Sequence, residues 1–211
     1  MGTLIKGING HISGKVGNVV GSSWRGINYV KSLPKTSLKP KSEKQLAQQA
    51  KFALAVRFMH PVKDLLNIGF RQQHRPATGY NLAIKHTLTQ AIIGQYPNYA
   101  IDYSKVQYSN GPLRRSEGVK LIGGTGCLVI IWHGDGFRFN SFGDDQVHIL
   151  IYEPDTNTYL QGPEGVQRMQ EAAIIAIPEQ FKGKILHTFL FCVSWNGQVS
   201  DTAYAGETII R

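Results

Sequence analysis

The period of hydrophobic and polar positions changes twice along the chain. Over residues 1–33, short β-prone pieces at 16–20 and 27–30 are set between Gly2, Gly7, Gly10, Gly14, Gly17, Gly21 and Gly26. Glycine at that density opposes a helix and favours short, tightly turned strands, which predicts a glycine-rich β ribbon carrying Trp24 and Tyr29. An isolated hairpin is marginal in water, so this ribbon has to pack on the rest of the chain or on another chain. From residue 43 the apolar positions Leu46, Ala50, Ala53, Leu54 and Phe58 recur at helical spacing. Ser42 and Gln45 read as a capping box. Helices are predicted over about 43–60, 61–68 and 78–93, the second opened by Pro61 and ended by Gly69, the third ended by Gly94. Leu46, Phe52, Leu54, Phe58, Leu65, Leu66, Leu88 and Ile92 are the expected core of this helical layer.

From about residue 119 the pattern is that of strands. A continuous apolar run at 127–132 is followed by alternation at 146–152 and by runs at 172–177, 185–194 and 202–204. Turn residues separate them: Gly134-Asp135-Gly136, Pro154-Asp155-Thr156-Asn157 and Asn196-Gly197. Strands spaced this way predict a β-sandwich with Trp132, Ile149, Ile151, Phe189 and Phe191 in its core. The fold class expected is α+β, in two modules. Residues 1–117 are to hold the ribbon, a Pro-containing linker and three helices, and residues 118–211 the sandwich.

Charge sharpens that division. Residues 1–120 carry 18 Lys+Arg against 4 Asp+Glu, and residues 121–211 carry 5 against 10, within a net charge of +9. A basic half and an acidic half suggest surfaces with different partners. The basic patch is Lys15, Arg25, Lys31, Lys35, Lys39, Lys41 and Lys44, with Pro34 and Pro40 favouring an extended path. Arg57, Arg71, Arg75, Arg114 and Arg115 widen it without forming a motif. Cations beside Trp24 and Tyr29 have the composition of a nucleic-acid arm. A solvated linker, or a segment that docks on an acidic module, has the same composition.

At 211 residues and 42% hydrophobic the chain can bury a sizeable core, and at 18% charged it is not of disordered type. No run of about 18 apolar residues is present, so no membrane-spanning helix is expected. The start lacks the apolar stretch of a secretory signal, which reads as synthesis in the cytoplasm without a classical signal peptide, with a virion or extracellular assembly as a later location. Cys127 and Cys192 lie in apolar runs and are expected as reduced core thiols.

Catalytic chemistry finds little footing. The segment Gly10 to Gly14-Lys15-Val16 has three residues between its glycines and Val after the Lys, where a phosphate loop needs four and a hydroxyl. Ser22 and Ser23 have no histidine nearby in sequence and no nucleophile elbow. His133, Asp135, Asp144 and Asp145 flank one loop, with fewer oxygens than calcium takes. The histidines show no zinc spacing. No cofactor and no metal is expected, and an enzyme is the third-ranked reading.

Two resemblances add to this. Gly14-Lys15-Val16-Gly17-Asn18-Val19-Val20-Gly21, then Trp24-Arg25-Gly26, then Gln45, Gln48 and Lys51-Phe52 resemble an uncharacterised bacterial family over essentially the whole chain, and no activity comes with that resemblance. A looser similarity is to phage-associated proteins in which a glycine-rich ribbon leads through a basic Pro segment into a Gln-rich helix. Residues 118–211 resemble a fibronectin type III or immunoglobulin-like domain, which implies a binding or spacer role.

The function expected from these observations is a non-enzymatic structural protein that assembles with copies of itself, a virion component or filament subunit. Its ribbon would add to a neighbour's sheet edge through Val16, Val19, Val20, Trp24, Ile27 and Tyr29, and the charge-complementary basic and acidic halves would give the head-to-tail contact its polarity. The alternative is binding of nucleic acid or another polyanion by residues 15–75.

Overall fold

A computed structural model describes residues 3–4, 10–24, 26–35, 40–72, 77–134 and 139–210. The fold is α+β with antiparallel sheets. It divides into two compact units, residues 1–42 and 43–211.

The first unit is the ribbon. Strands β1 (Thr3–Leu4), β2 (Ile12–Val16), β3 (Val19–Trp24) and β4 (Ile27–Ser32) form one sheet in sequence order. Gly17 and Gly26, at φ 58° and 81°, supply the left-handed residues that the two tight turns require. Gly21 carries no side chain because a Cβ there would meet the Ile12 carbonyl oxygen at 1.9 Å.

The second unit opens with helix α1 (Glu43–Met59). A 3-10 turn (His60–Val62) with Pro61 at its start leads into α2 (Lys63–Gly69). Helix α3 (Gly79–His86) is capped by the Thr78 hydroxyl, which accepts the Asn81 amide at 3.3 Å. It widens into a π-helical turn, Thr87–Ala91, and then becomes strand rather than continuing to 93. Strands β5 (Ile92–Gln95) and β6 (Asn98–Ile101) form a hairpin. Gly94 is therefore a hairpin residue at φ 90°, not a helix cap, and a Cβ on it would meet the Asn98 carbonyl oxygen at 2.4 Å.

Seven further strands follow: β7 (Lys120–Gly123), β8 (Cys127–Ile131), β9 (Gln146–Glu153), β10 (Thr158–Gln161), β11 (Ala172–Ala176), β12 (Ile185–Val193) and β13 (Ala203–Ile209). They make a four-stranded sheet, β10-β9-β12-β13, and a three-stranded sheet, β11-β8-β7. Between the sheets lies one core, with Leu128, Ile130, Trp132, Ile149, Ile151, Ile175 and Leu190. The four-stranded sheet is covered on its other face too, where Phe58, Leu66 and Ala83 of the helices pack on Leu150, Tyr152, Phe189 and Phe191. Phe189 and Phe191 are thus buried as expected, but against the helices, because side chains alternate along β12.

This second core is why the chain does not divide at 117/118. The helices share their apolar contacts with β9 and β12. Tyr159 also donates to the Phe58 carbonyl at 2.9 Å, and Thr202 Oγ1 accepts the amides of Tyr108 and Ser109, both at 2.9 Å. Within the helical layer, Phe58, Leu65 and Leu66 are buried, and Leu54, Leu88 and Ile92 are half-buried. Leu46 and Phe52 are exposed, since α1 buries only Ala55, Phe58 and Met59.

Candidate interaction surfaces

Strand register sorts the ribbon residues onto two faces. Trp24 pairs with Ile27, Ser22 with Tyr29 and Val20 with both Lys31 and Lys15, so these share one face. Val16 pairs with Val19, and Gly21 with Val30 and Gly14, on the other. The six expected anchors are therefore split, with Val20, Trp24, Ile27 and Tyr29 on one face and Val16 and Val19 on the opposite one. All six positions of β4 are exposed, and among the described residues no strand pairs with its outer edge. Among the described ribbon residues only Gly21 is buried, while Trp24 is 50% and Ile27 62% exposed.

Lys15 and Lys31 flank Val20 on the face that carries Tyr29 and Trp24, roughly 10 Å apart as strands two places removed. Lys35, Lys41 and Lys44 are exposed. Arg25, Lys39, Arg75 and Asp135 lie outside the described residues.

Sequence reading missed a second apolar surface. On the outer face of the three-stranded sheet, Ile174, Val129 and Ile122 stand in one row across β11, β8 and β7. Ala172 and Ile131 form the next row, ending at Lys120, and Ala176 pairs with Cys127. Ile174 is 68% and Ile122 52% exposed. The outer positions of an open antiparallel sheet are ordinarily polar, and the unbroken apolar run at 127–131 was the available signal. Cys127 lies half-exposed on this face rather than in the core, whereas Cys192 is buried; both are free thiols.

The loop carboxylates behave as structure. Asp145 is buried, and its Oδ2 accepts Arg168 Nε and the Phe142 amide, both at 3.0 Å. Burial pushes this carboxyl up, opposed by those two partners. Arg168 donates onward to the Arg114 carbonyl at 2.8 Å and accepts Trp132 Nε1 on its own carbonyl at 2.9 Å. Among the described residues no group of three His, Cys, Asp or Glu side chains is placed to hold a metal ion. No described helix is long and apolar enough to cross a membrane. Tyr108, buried, and Tyr159, half-buried, have hydroxyls 3.2 Å apart; burial pushes both well above the usual phenol range, and they act as neutral hydrogen-bonding groups in the helix–sheet core.

A family model described as a family of unknown function (DUF6266) matches residues 11–206. No curated protein matches the chain.

Proposed function

Since the chain belongs to this family of unknown function, we propose from its own surfaces that it is a non-enzymatic structural protein that assembles with copies of itself through the ribbon. The observation that carries this reading is a four-stranded sheet with no buried side chain among its described residues, ending in an exposed strand, β4, half of whose residues are apolar. An exposed edge of that kind is a template for pairing with another chain. Its Ile27, Tyr29 and Val30 offer apolar contact, and the open face at Ile174, Val129 and Ile122 is a matching surface on the second unit. A contact between unlike surfaces closes into rings or runs on as filaments, the geometry of a virion or filament component. The strand orders β10-β9-β12-β13 and β11-β8-β7, with seven antiparallel strands around one core, support reading residues 118–211 as a fibronectin type III-like sandwich.

Sedimentation velocity over a wide concentration range tests assembly. The full-length protein is expected to gain mass with concentration, and the Ile27→Lys, Val30→Lys double variant, charged on both ribbon faces, to remain monomeric. A wild-type protein that stays monomeric throughout overturns the reading.

One observation favours polyanion binding as the second reading: Lys15 and Lys31 share a face with Tyr29 and Trp24, which would set phosphate contacts beside a stacking surface. Retention of DNA or RNA that falls steeply with salt would support it.

A further inference from the structure

A cleft of about 550 Å³ opens between the α3–π segment and residues 104–115. Its floor is apolar, formed by Phe70, Leu82 and Val106, and its walls carry cations, amides and hydroxyls. No Asp or Glu is among the described residues that line it. Lys105 is held by Asp102 at 3.0 Å, and Asp102 is itself engaged by the Ser104 amide at 3.2 Å. Lys85 and Arg115, both exposed, also line the cleft, and neither has an ion pair among the described residues.

The walls are fixed from behind. Thr89 Oγ1 is 3.0 Å from the Lys85 carbonyl and 3.1 Å from that of His86, so its proton is committed to the helix and its lone pairs face outward as acceptors. On the other side Thr202 pins residues 108 and 109, and Asp201 takes Asn110 Nδ2 at 3.0 Å and the Gly111 amide at 3.3 Å. The backbone of both walls is held in this way, and the exposed Lys85 and Arg115 side chains stand on it. The His86 ring adjoins the cleft with its Nδ1 buried and unpartnered, and burial lowers its pKa, so it adds a neutral group there.

The volume is that of a small-molecule site. Cations alone would fit any anion. The amides of Gln90 and Gln107 add donors and acceptors beside them, and Ser104 Oγ, whose proton goes to Asp102, adds an acceptor. That combination matches a molecule with one acidic group on a polyhydroxylated frame. We propose that this cleft binds a small acidic sugar, of the sugar-phosphate or uronic-acid class. Lys85 and Arg115 would meet its anion, and the amides and Ser104 its hydroxyls. Every lining residue lies within residues 70–202, so the proposal is independent of the ribbon and of assembly.

Amide-resolved NMR titration of the full-length protein tests it, with glucose 6-phosphate, glucuronate, glucose and inorganic phosphate as probes. Saturable shifts are expected at residues 85–90 and 104–115 with the first two, and weaker binding with the last two. The Lys85→Gln and Arg115→Gln changes each remove a charge-assisted contact and are expected to weaken glucose 6-phosphate binding roughly tenfold, with the unfolding temperature unchanged. No saturable shift with either acid, equal binding of inorganic phosphate, or unaltered binding in both variants overturns the proposal.

Discussion

The ribbon and the body behind it are both antiparallel β, and both spend valine, isoleucine and aromatic residues on their strands, yet they treat those residues in opposite ways. Strand β12 buries every position from Leu186 to Cys192. Strand β4 exposes all six of its positions. Ile27, Tyr29 and Val30 are as suited to a core as Leu186 or Phe189, although β4 interleaves them with Asn28, Lys31 and Ser32. The difference is in layers. Strand β12 has a sheet facing one side and helices the other, so both of its alternating sets of side chains leave water. The described strands of the ribbon have neither. A β pattern specifies which side chains share a face; a second layer decides whether that face is buried.

The sharpest way to break this comparison is to truncate the doubly covered strand. Phe189 is fully buried, stands 4.9 Å from the Tyr108 ring centroid and packs in the helix–sheet core. Phe189→Ala is expected to cost about 3–5 kcal/mol, read from urea unfolding of the body. A cost under about 1 kcal/mol would mean that the helices do not form a fixed layer over the sheet.

That layer is where sequence reading fell short. The alternation at 146–152 identified a strand, and Ile149 and Ile151 face the core between the sheets as expected. The run at 185–194 was equally legible as a strand, but the unbroken apolar stretch from Phe189 to Val193 also marks burial on both faces. That second face belongs to helices distant in sequence, which no local period reveals. Ile92 and Ile93 continue the helical spacing of α3, so the hairpin they begin was hidden behind a valid pattern. Strand β10 carries only Tyr159 and Leu160 as large apolar residues and follows a strong turn signal, which left it unmarked. The apolar outer face of the three-stranded sheet depends on register between β7, β8 and β11, which separate local segments do not disclose. The cleft draws its lining from Phe70 to Thr202, and no motif joins residues so far apart.

A smaller effect, confined to the body, is sensitivity to acid. His86, His148 and His187 all have their pKa lowered, in each case chiefly by burial. His148 stacks on Phe191 at 5.1 Å with Glu164 nearby. His187 lies 2.9 Å from the Tyr204 hydroxyl and 3.8 Å from Glu207, and stacks on Tyr103. The unfolded chain takes up these protons as pH falls through about 6.5, while the folded chain still excludes them, so stability falls with pH in that window. The unfolding midpoint of the body is expected to drop between about pH 7.5 and 5.5, and His148→Gln to make that slope shallower. A flat midpoint would show that folding does not change the protonation of these rings, and one that rises on acidification that they gain protons on folding.

The smallest expected effect tests the other side of the comparison. Ile27 is 62% exposed on the terminal strand of the ribbon and opposes Trp24, itself half exposed. If no layer covers that face in a single chain, Ile27→Ser removes little buried surface. The stability of the dilute, monomeric protein should then change by less than about 0.5 kcal/mol, as at ordinary surface sites. Assembly should respond differently, because Ile27 would be buried between copies and lost there as a contact. The measurement is therefore paired: unfolding at low concentration, and sedimentation at high concentration, on the same Ile27→Ser protein. A near-zero change in the first with a clear loss of mass in the second places the missing layer on another molecule. A cost well above 1 kcal/mol in the dilute monomer places it within the same chain, and the contrast between an uncovered ribbon and a covered body then fails.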